Sequence, residues 1–292
     1  MRKLYKYFSN LDVGYFSNPS FKLSSASTLN DPFETILAKE LLATMDGVID
    51  KESRSYSMFK RILGPSAQLK DSYDTLFKMS GIVSLSETQH NLLMWSHYAD
   101  QHRGLCVGYN SNVLSDIKFP KYAKLPLTKD PVKINYDNKK TFDYEFDFVY
   151  DNDNELFKSV LHKVLTTKGD DWIYEKEHRF ILPVNIADRL QIYKGGKLES
   201  EIKYYKNESE RYLSKNKIMN FFVEDAIKTG YNYLLDIDPE NITDVYLGCK
   251  MNMRKARGIK KYISENKLTK HIKVYKFVES NERFEIEVDN NF

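Results

Sequence analysis

The chain predicts an α+β fold, a single mixed domain over residues 1–292 with a central, largely antiparallel or split sheet and packed helices. Three observations carry this. Apolar runs of strand length, Ile82-Val83-Ser84-Leu85 and Leu105-Cys106-Val107-Gly108-Tyr109, stand beside segments with helical spacing such as Asn154 to Thr166. Helices and strands are interleaved irregularly rather than as steady βα units, which disfavours a doubly wound sheet. The chain has no internal repeat or low-complexity tract, and it is long enough to bury a large core.

Taken in order, Leu4 to Phe8 is a short aromatic strand ending in a turn at Asn10-Leu11-Asp12. Tyr15-Phe16-Ser17 and Phe21-Lys22-Leu23 read as small strands around the turn pair Asn18-Pro19, and Ser24 to Asn30 as a polar loop. Asp31-Pro32-Phe33-Glu34 fits a helix entry, with Asp31 as cap and Pro32 at the first helical position, running through Glu40. Tyr56 to Leu63 and Ser72 to Met79 look helical, and Pro120 to Val132 loop-like. Ile134 to Tyr136 suggests a strand, and Trp172 to Val184 another. Gly195 to Lys217 is polar, without apolar periodicity, and reads as an excursion or solvated connection. Phe221 to Ile227 is a short helix or strand. Val245 to Gly248 is a strand, Met253 to Asn266 a basic amphipathic helix, and Ile272–Val278 with Phe284–Val288 a closing pair.

Composition narrows the class. A net charge of +3 gives no global field toward DNA or a membrane surface. Two cysteines, Cys106 and Cys249, are too few for a disulfide framework. The opening MRKLYKYFSN lacks an apolar signal region and no run approaches spanning length, so the expectation is a cytoplasmic protein that does not enter membranes.

Unusual residues concentrate in two stretches. In Ile82 to Tyr109, Ser86 stands three residues before Gln89, a capping-box spacing that predicts a helix from Ser86 to Arg103 closed by an αL cap at Gly104. That helix carries Trp95, His97, Tyr98 and His102. In KGDDWIYEKEHRFIL, an extended Ile173 to Leu182 places Glu175, Glu177 and Arg179 on one face and Tyr174, Lys176, His178 and Phe180 on the other. Two carboxylates one pleat apart repel unless a cation lies close. Buried polar groups on the helix would be answered by the charges of the strand, so the two stretches are expected to face each other across one cleft.

The strings LYKYFS, FSNPSFKLSSASTLNDPFE, SLSE with LLMWSHYADQHRGLCVGY, DWIYEKEHRF and VYLGCKM resemble the bacterial domain family DUF2971. A more distant similarity points to ADP-ribosyltransferases. Tyr5 to Tyr7, then Ser84 to Ser86 or Tyr98, then Glu175-Lys176-Glu177 follow that family's order, and Glu-x-Glu looks like the paired acids of its arginine-directed class. The resemblance implies an ADP-ribosyltransferase-like fold and NAD as substrate. It implies that Glu177 holds the nicotinamide ribose and stabilises an oxocarbenium-like transition state, while Glu175 activates the acceptor. Tyr98 and His97 join them as catalytic candidates. Tyr5, Lys6, Tyr7, Ser84, Ser86, Trp95 and Arg179 are the candidates for contacting NAD. The pattern departs in the opening strand, which offers Lys6 or Arg2 rather than an Arg or His in register. The implied function is a toxin or phage-defence effector with a protein or nucleic-acid acceptor and a neutralising partner protein. The alternative is a non-catalytic or nucleic-acid-directed defence module whose motif residues form a structural polar network.

Plainer readings stand beside these. Trp95 suits a core anchor. Cys106 in an apolar strand is a small hydrophobe rather than a nucleophile. His97 and His102, five residues apart, lie on different helix faces, and no metal-ligand spacing occurs. Asp31 and Glu34 fit helix capping, and Arg254 to Lys261 a solvated face.

Overall fold

A nine-stranded mixed sheet organises the protein in the computed structural model, which describes residues 2–36, 68–115, 128, 130–139, 153–203 and 230–292. In chain order the strands are β1 (Lys3–Phe8), β2 (Ser20–Lys22), β3 (Ser24–Ser25), β4 (Ser80–Ser86), β5 (Leu105–Asn110), β6 (Val132–Lys133), β7 (Asn135–Tyr136) and β8 (Thr167–Lys168). They continue as β9 (Glu177–Pro183), β10 (Arg189–Lys194), β11 (Lys197–Lys203), β12 (Tyr231–Asp236), β13 (Ile242–Leu247), β14 (Lys273–Glu279) and β15 (Ile286–Val288). Among the described residues the α-helices are α1 (Leu69–Met79), α2 (Leu92–Tyr98), α3 (Asp153–Leu165) and α4 (Met253–Glu265). The main sheet runs β15-β14-β13-β5-β1-β4-β9-β6, with β3 on β4. Within the main sheet, among the described residues, only β13 and β14 pair in parallel, joined through α4, so the fold is α+β with a largely antiparallel sheet. A four-stranded sheet, β11-β10-β12-β2, and a β7-β8 pair complete it. No helix among the described residues is long and apolar enough to cross a membrane.

Alternation sets two faces. Leu105, Val107 and Tyr109 of β5 and Val245 and Leu247 of β13 enter one core, which α4 covers with Ala256, Ile259 and Ile263. Cys106 and Tyr246 turn to the other face, where Met94 and Trp95 of α2 and Ala99 just after it pack with Tyr5, Tyr7 and Phe277. Helices α2 and α4 therefore lie on opposite sides of the sheet.

Several local expectations are corrected. Tyr15 to Ser17 is part of a 3-10 helix, Val13–Ser17, because Asp12 accepts a hydrogen bond from Gly14 N at 2.8 Å. Ser24 to Asn30 is not all loop: it contains β3 and a 3-10 turn, Ala26–Thr28. Ser86 does not start a helix. It ends β4 in register with Glu177, and Asn91 caps α2 instead, accepting from Leu93 N and Met94 N. Helix α2 stops at Tyr98, well short of Arg103. Three successive residues, Asp100, Gln101 and His102, take positive φ (45°, 51° and 69°), so the reversal is spread over side-chain-bearing positions rather than placed at Gly104. Gly104 answers a different need, since a Cβ there would run into the Phe8 carbonyl.

Trp172 to Glu175 belongs to a 3-10 helix, Asp170–Glu175, closed by Lys176 at φ 46°, and the strand begins only at Glu177. The supposed excursion from Gly195 opens as a hairpin. Gly195 and Gly196, at φ 56° and 78°, make the two-residue turn between β10 and β11, whose seven residues are all exposed. Strand β12 was not anticipated. Asp31 to Glu34 forms a turn, with Asp31 accepting from Phe33 N. The extension to Glu40, the helix Tyr56–Leu63, Phe221–Ile227 and most of Pro120–Val132 lie outside the described residues.

Candidate active site

Strands β1 and β4 meet at a single register pair, Tyr5 opposite Ser86, and then part. The gap leaves the Ser84 carbonyl without a strand partner, and the ammonium of Lys6 takes it at 3.1 Å. Around this split opens a cavity of about 390 Å³. Tyr5, Lys6, Tyr7, Lys22, Ser84, Ser86, Met94 and Tyr98 line it together with the charged floor of Glu34, Lys168, Glu175, Glu177 and Arg179.

The floor is an ion network. Arg179 and Glu177, two apart on β9, project to one face and pair bidentately, Nε to Oε1 at 2.7 Å and Nη2 to Oε2 at 2.9 Å. Glu34 grips the far side of the same guanidinium at 2.7 and 2.9 Å, and Leu165 O accepts from Nη1 at 3.0 Å. Lys168 lies 2.8 Å from Glu175, 3.4 Å from Glu34 and 3.5 Å from Glu177. Tyr98 donates to Glu175 Oε1 at 2.6 Å, which joins α2 to the acidic strand region. Glu175, Glu177 and Arg179 are 5 %, 3 % and 1 % exposed, so these charges interact through protein rather than water.

The two carboxylates are pushed in opposite directions. Burial alone would raise Glu177, but the charge and hydrogen bonds of Arg179, with help from Lys168 and the Ser84 hydroxyl, hold it at about 2. Glu175 is raised above its ordinary value, chiefly by burial and also by Glu177, against the pull of Lys168. Lys168 itself is raised: burial works against its charge, but Glu177, Glu175 and Glu34 outweigh burial. Lys6 is in no ion pair among the described residues; burial, with a smaller contribution from Lys22, lowers it to about 8 against the pull of Glu177.

A pH dependence follows for stability. Glu177 is depressed from 4.5 to about 2 in the folded protein, so its contribution is present above pH 4.5 and lost as pH falls toward 2. The size is about 3 kcal/mol at ~1.4 kcal/mol per unit. Denaturant titrations at descending pH are expected to show this loss in the native chain and its absence in Glu177→Gln. An unchanged acid profile in that variant would contradict the assignment.

The cleft expected between the two stretches is present, with Tyr98 and Glu175 in contact across it. The structure brings Tyr5, Lys6, Tyr7, Ser84, Ser86, Tyr98, Glu175, Glu177 and Arg179 to one cavity. Ser86 donates to the Glu175 carbonyl at 2.7 Å and so fixes the backbone beneath the acid. Two expected residues are elsewhere. His97 is exposed on α2, its ring 6.3 Å from Tyr174 and outside the cavity wall. Trp95 is fully buried behind the wall and donates Nε1 to Gln89 O at 2.7 Å. Glu34, Lys168 and Lys22 were not anticipated. Lys168 carried a faint signal: it stands four residues before Trp172, and its ammonium lies 4.4 Å from that ring's centroid.

Residues 94–180 match the family model DUF2971, a protein of unknown function. The match covers less than half of the chain, but it spans the MWSHYA and YEKEHRF strings, and with them Tyr98, Lys168, Glu175, Glu177 and Arg179. No curated protein and no solved structure matches the chain.

Proposed function

We propose that the cavity binds NAD and cleaves its nicotinamide–ribose bond, as an ADP-ribosyltransferase-like enzyme. The observation that supports this is the pair of carboxylates at one cavity floor, Glu177 held ionised and Glu175 raised toward neutrality. Opposed environments of this kind separate an electrostatic stabiliser from a proton acceptor. In the reaction the bond from ribose C1′ to nicotinamide breaks and its electron pair leaves with nicotinamide. The oxocarbenium-like ribose is met by the negative charge of Glu177. A ribose hydroxyl would reach Glu177 in place of the Ser84 hydroxyl or of the longer contact from Lys168, while Arg179 stays paired. The acceptor, or water, adds at C1′ and gives its proton to Glu175. Such an activity would make the protein a cytoplasmic toxin or phage-defence effector, held in check by a neutralising partner.

Lys6 is suited to the diphosphate, since among the described residues its ammonium is held only by the Ser84 carbonyl and is in no ion pair. The ammonium is lost above about pH 8, so KM for NAD is expected to rise above that pH while kcat holds. Lys6→Met is expected to raise KM at neutral pH by roughly tenfold, about 1.4 kcal/mol, and to flatten its pH dependence. A KM insensitive to both changes would remove Lys6 from the binding site.

A second reading, a non-catalytic or nucleic-acid-directed module whose buried ions are structural, draws on one feature: Arg179 occupies both Glu177 oxygens. Incubation of the protein and cell lysate with NAD labelled in the adenylate separates the two. The enzyme reading expects label on a macromolecule or in free ADP-ribose, and the structural reading expects intact NAD.

A further inference from the structure

Between Lys250 and Lys273 the chain holds nine Lys or Arg and a single acid, Glu265, a local charge of +8 in a chain whose net charge is +3. The rest of the molecule is therefore net negative, and the excess of positive charge lies on α4 and the turns at its ends. The helix's apolar stripe, Ala256, Ile259 and Ile263, is buried in the core. The opposite stripe consists of Arg254, Arg257, Gly258 and Lys261, all exposed. Among the described residues Arg254 and Arg257 are in no ion pair, while Lys261 lies 4.0 Å from Glu265.

Gly258 adds an independent sign. It sits in the middle of a helix, where glycine is less favourable than alanine, and apart from its chain neighbours and the adjoining helix backbone no atom lies within 4 Å of the place its Cβ would take. Neither packing nor a turn requires it. Such a position leaves the helix backbone open to close approach by a ligand. From Arg254 to Lys261 the stripe runs on the order of 10 Å along the axis. That length meets more than one phosphate of a backbone with a charge every ~3.4 Å per strand.

We infer that this face of α4 is a docking surface for the phosphodiester backbone of a nucleic acid, bound without base readout. An acidic membrane fits less well, because a helix that enters a bilayer surface needs a free apolar face and this one is committed to the core. The surface lies across the sheet from the NAD cavity and does not rest on that reading. It would bring a nucleic acid to the protein as acceptor or as anchor.

The test is fluorescence anisotropy of the full chain with labelled single-stranded RNA and duplex DNA across a salt series, beside flotation with phosphatidylserine vesicles. Binding to at least one nucleic acid is expected, with affinity falling linearly in log–log form. Arg254→Gln with Arg257→Gln is expected to reduce the slope by about 2. Gly258→Ala is expected to raise Tm yet weaken binding several-fold, an opposition that a merely structural glycine would not produce. No binding at low salt, a slope unchanged in the double variant, an affinity unchanged in Gly258→Ala, or binding to vesicles alone would each overturn the proposal. Nicotinamide release by these variants is expected to stay at the native rate, so failure of the two proposals is separately visible.

Discussion

Glu177→Gln is expected to abolish nicotinamide release from NAD and to cost about 3 kcal/mol of stability. Both effects have one source. Glu177 is buried, ionised and paired twice with Arg179, so the amide removes the negative charge that faces the ribose and leaves a guanidinium short of one counter-ion. Breaking a buried ion pair from one side costs ~3–5 kcal/mol, and the lower end applies because Glu34 still holds the far edge of Arg179. Loss of the electrostatic stabiliser costs on the order of 100- to 1,000-fold in rate. The assay belongs well below the variant's own Tm, with Glu175→Gln in parallel. That second amide keeps the shape that meets Tyr98 and Lys168, and it is expected to spare stability and NAD hydrolysis more than transfer to an acceptor. Full nicotinamide release by Glu177→Gln would exclude the role assigned to it.

Trp95→Ala is expected to lower stability by about 3–5 kcal/mol, as truncation of a buried aromatic does. The indole is fully buried and packs edge-on against Tyr7 at 5.3 Å and Phe277 at 5.7 Å. Its Nε1 satisfies the Gln89 carbonyl just before α2, so the variant loses packing and strands an acceptor together. Tyr7 also lines the cavity, and its displacement would reach the site indirectly. Thermal or denaturant unfolding reads the effect. An unchanged midpoint with lost NAD binding would make Trp95 a ligand-stacking residue and contradict the packing seen.

The parts of the site that could be read in advance are those carried by local periodicity. Alternation in Glu177–Pro183 sets Glu177 and Arg179 on one side, and the apolar runs of β4 and β5 announce buried strands. Glu175 reached the expected neighbours by another route, from the end of a 3-10 helix with Lys176 in the left-handed region rather than from a strand. Ser86 shows a local signal overruled: its spacing to Gln89 suits a capping box, but seven register pairs between β4 and β9 hold it in the sheet. Glu34 could not be assigned because its partner Arg179 is 145 positions away, and a carboxylate in a turn after Asp31-Pro32 looks the same as a capping residue. His97 and Tyr98 are adjacent on a helix, and about 100° of rotation sends one to solvent and the other to Glu175. Periodicity gives each residue its face, while closure of the network depends on contacts between distant segments.

Quantifying nicotinamide after incubation of the purified chain with NAD tests the central claim most directly. The account predicts nicotinamide released in step with NAD consumed, a rate that falls by at least ~100-fold in Glu177→Gln, and a KM that rises above about pH 8 as the Lys6 ammonium is lost. NAD left intact, by the purified chain and by the chain supplemented with cell lysate, would contradict it and leave the buried charges of Glu34, Lys168, Glu175, Glu177 and Arg179 as a structural network.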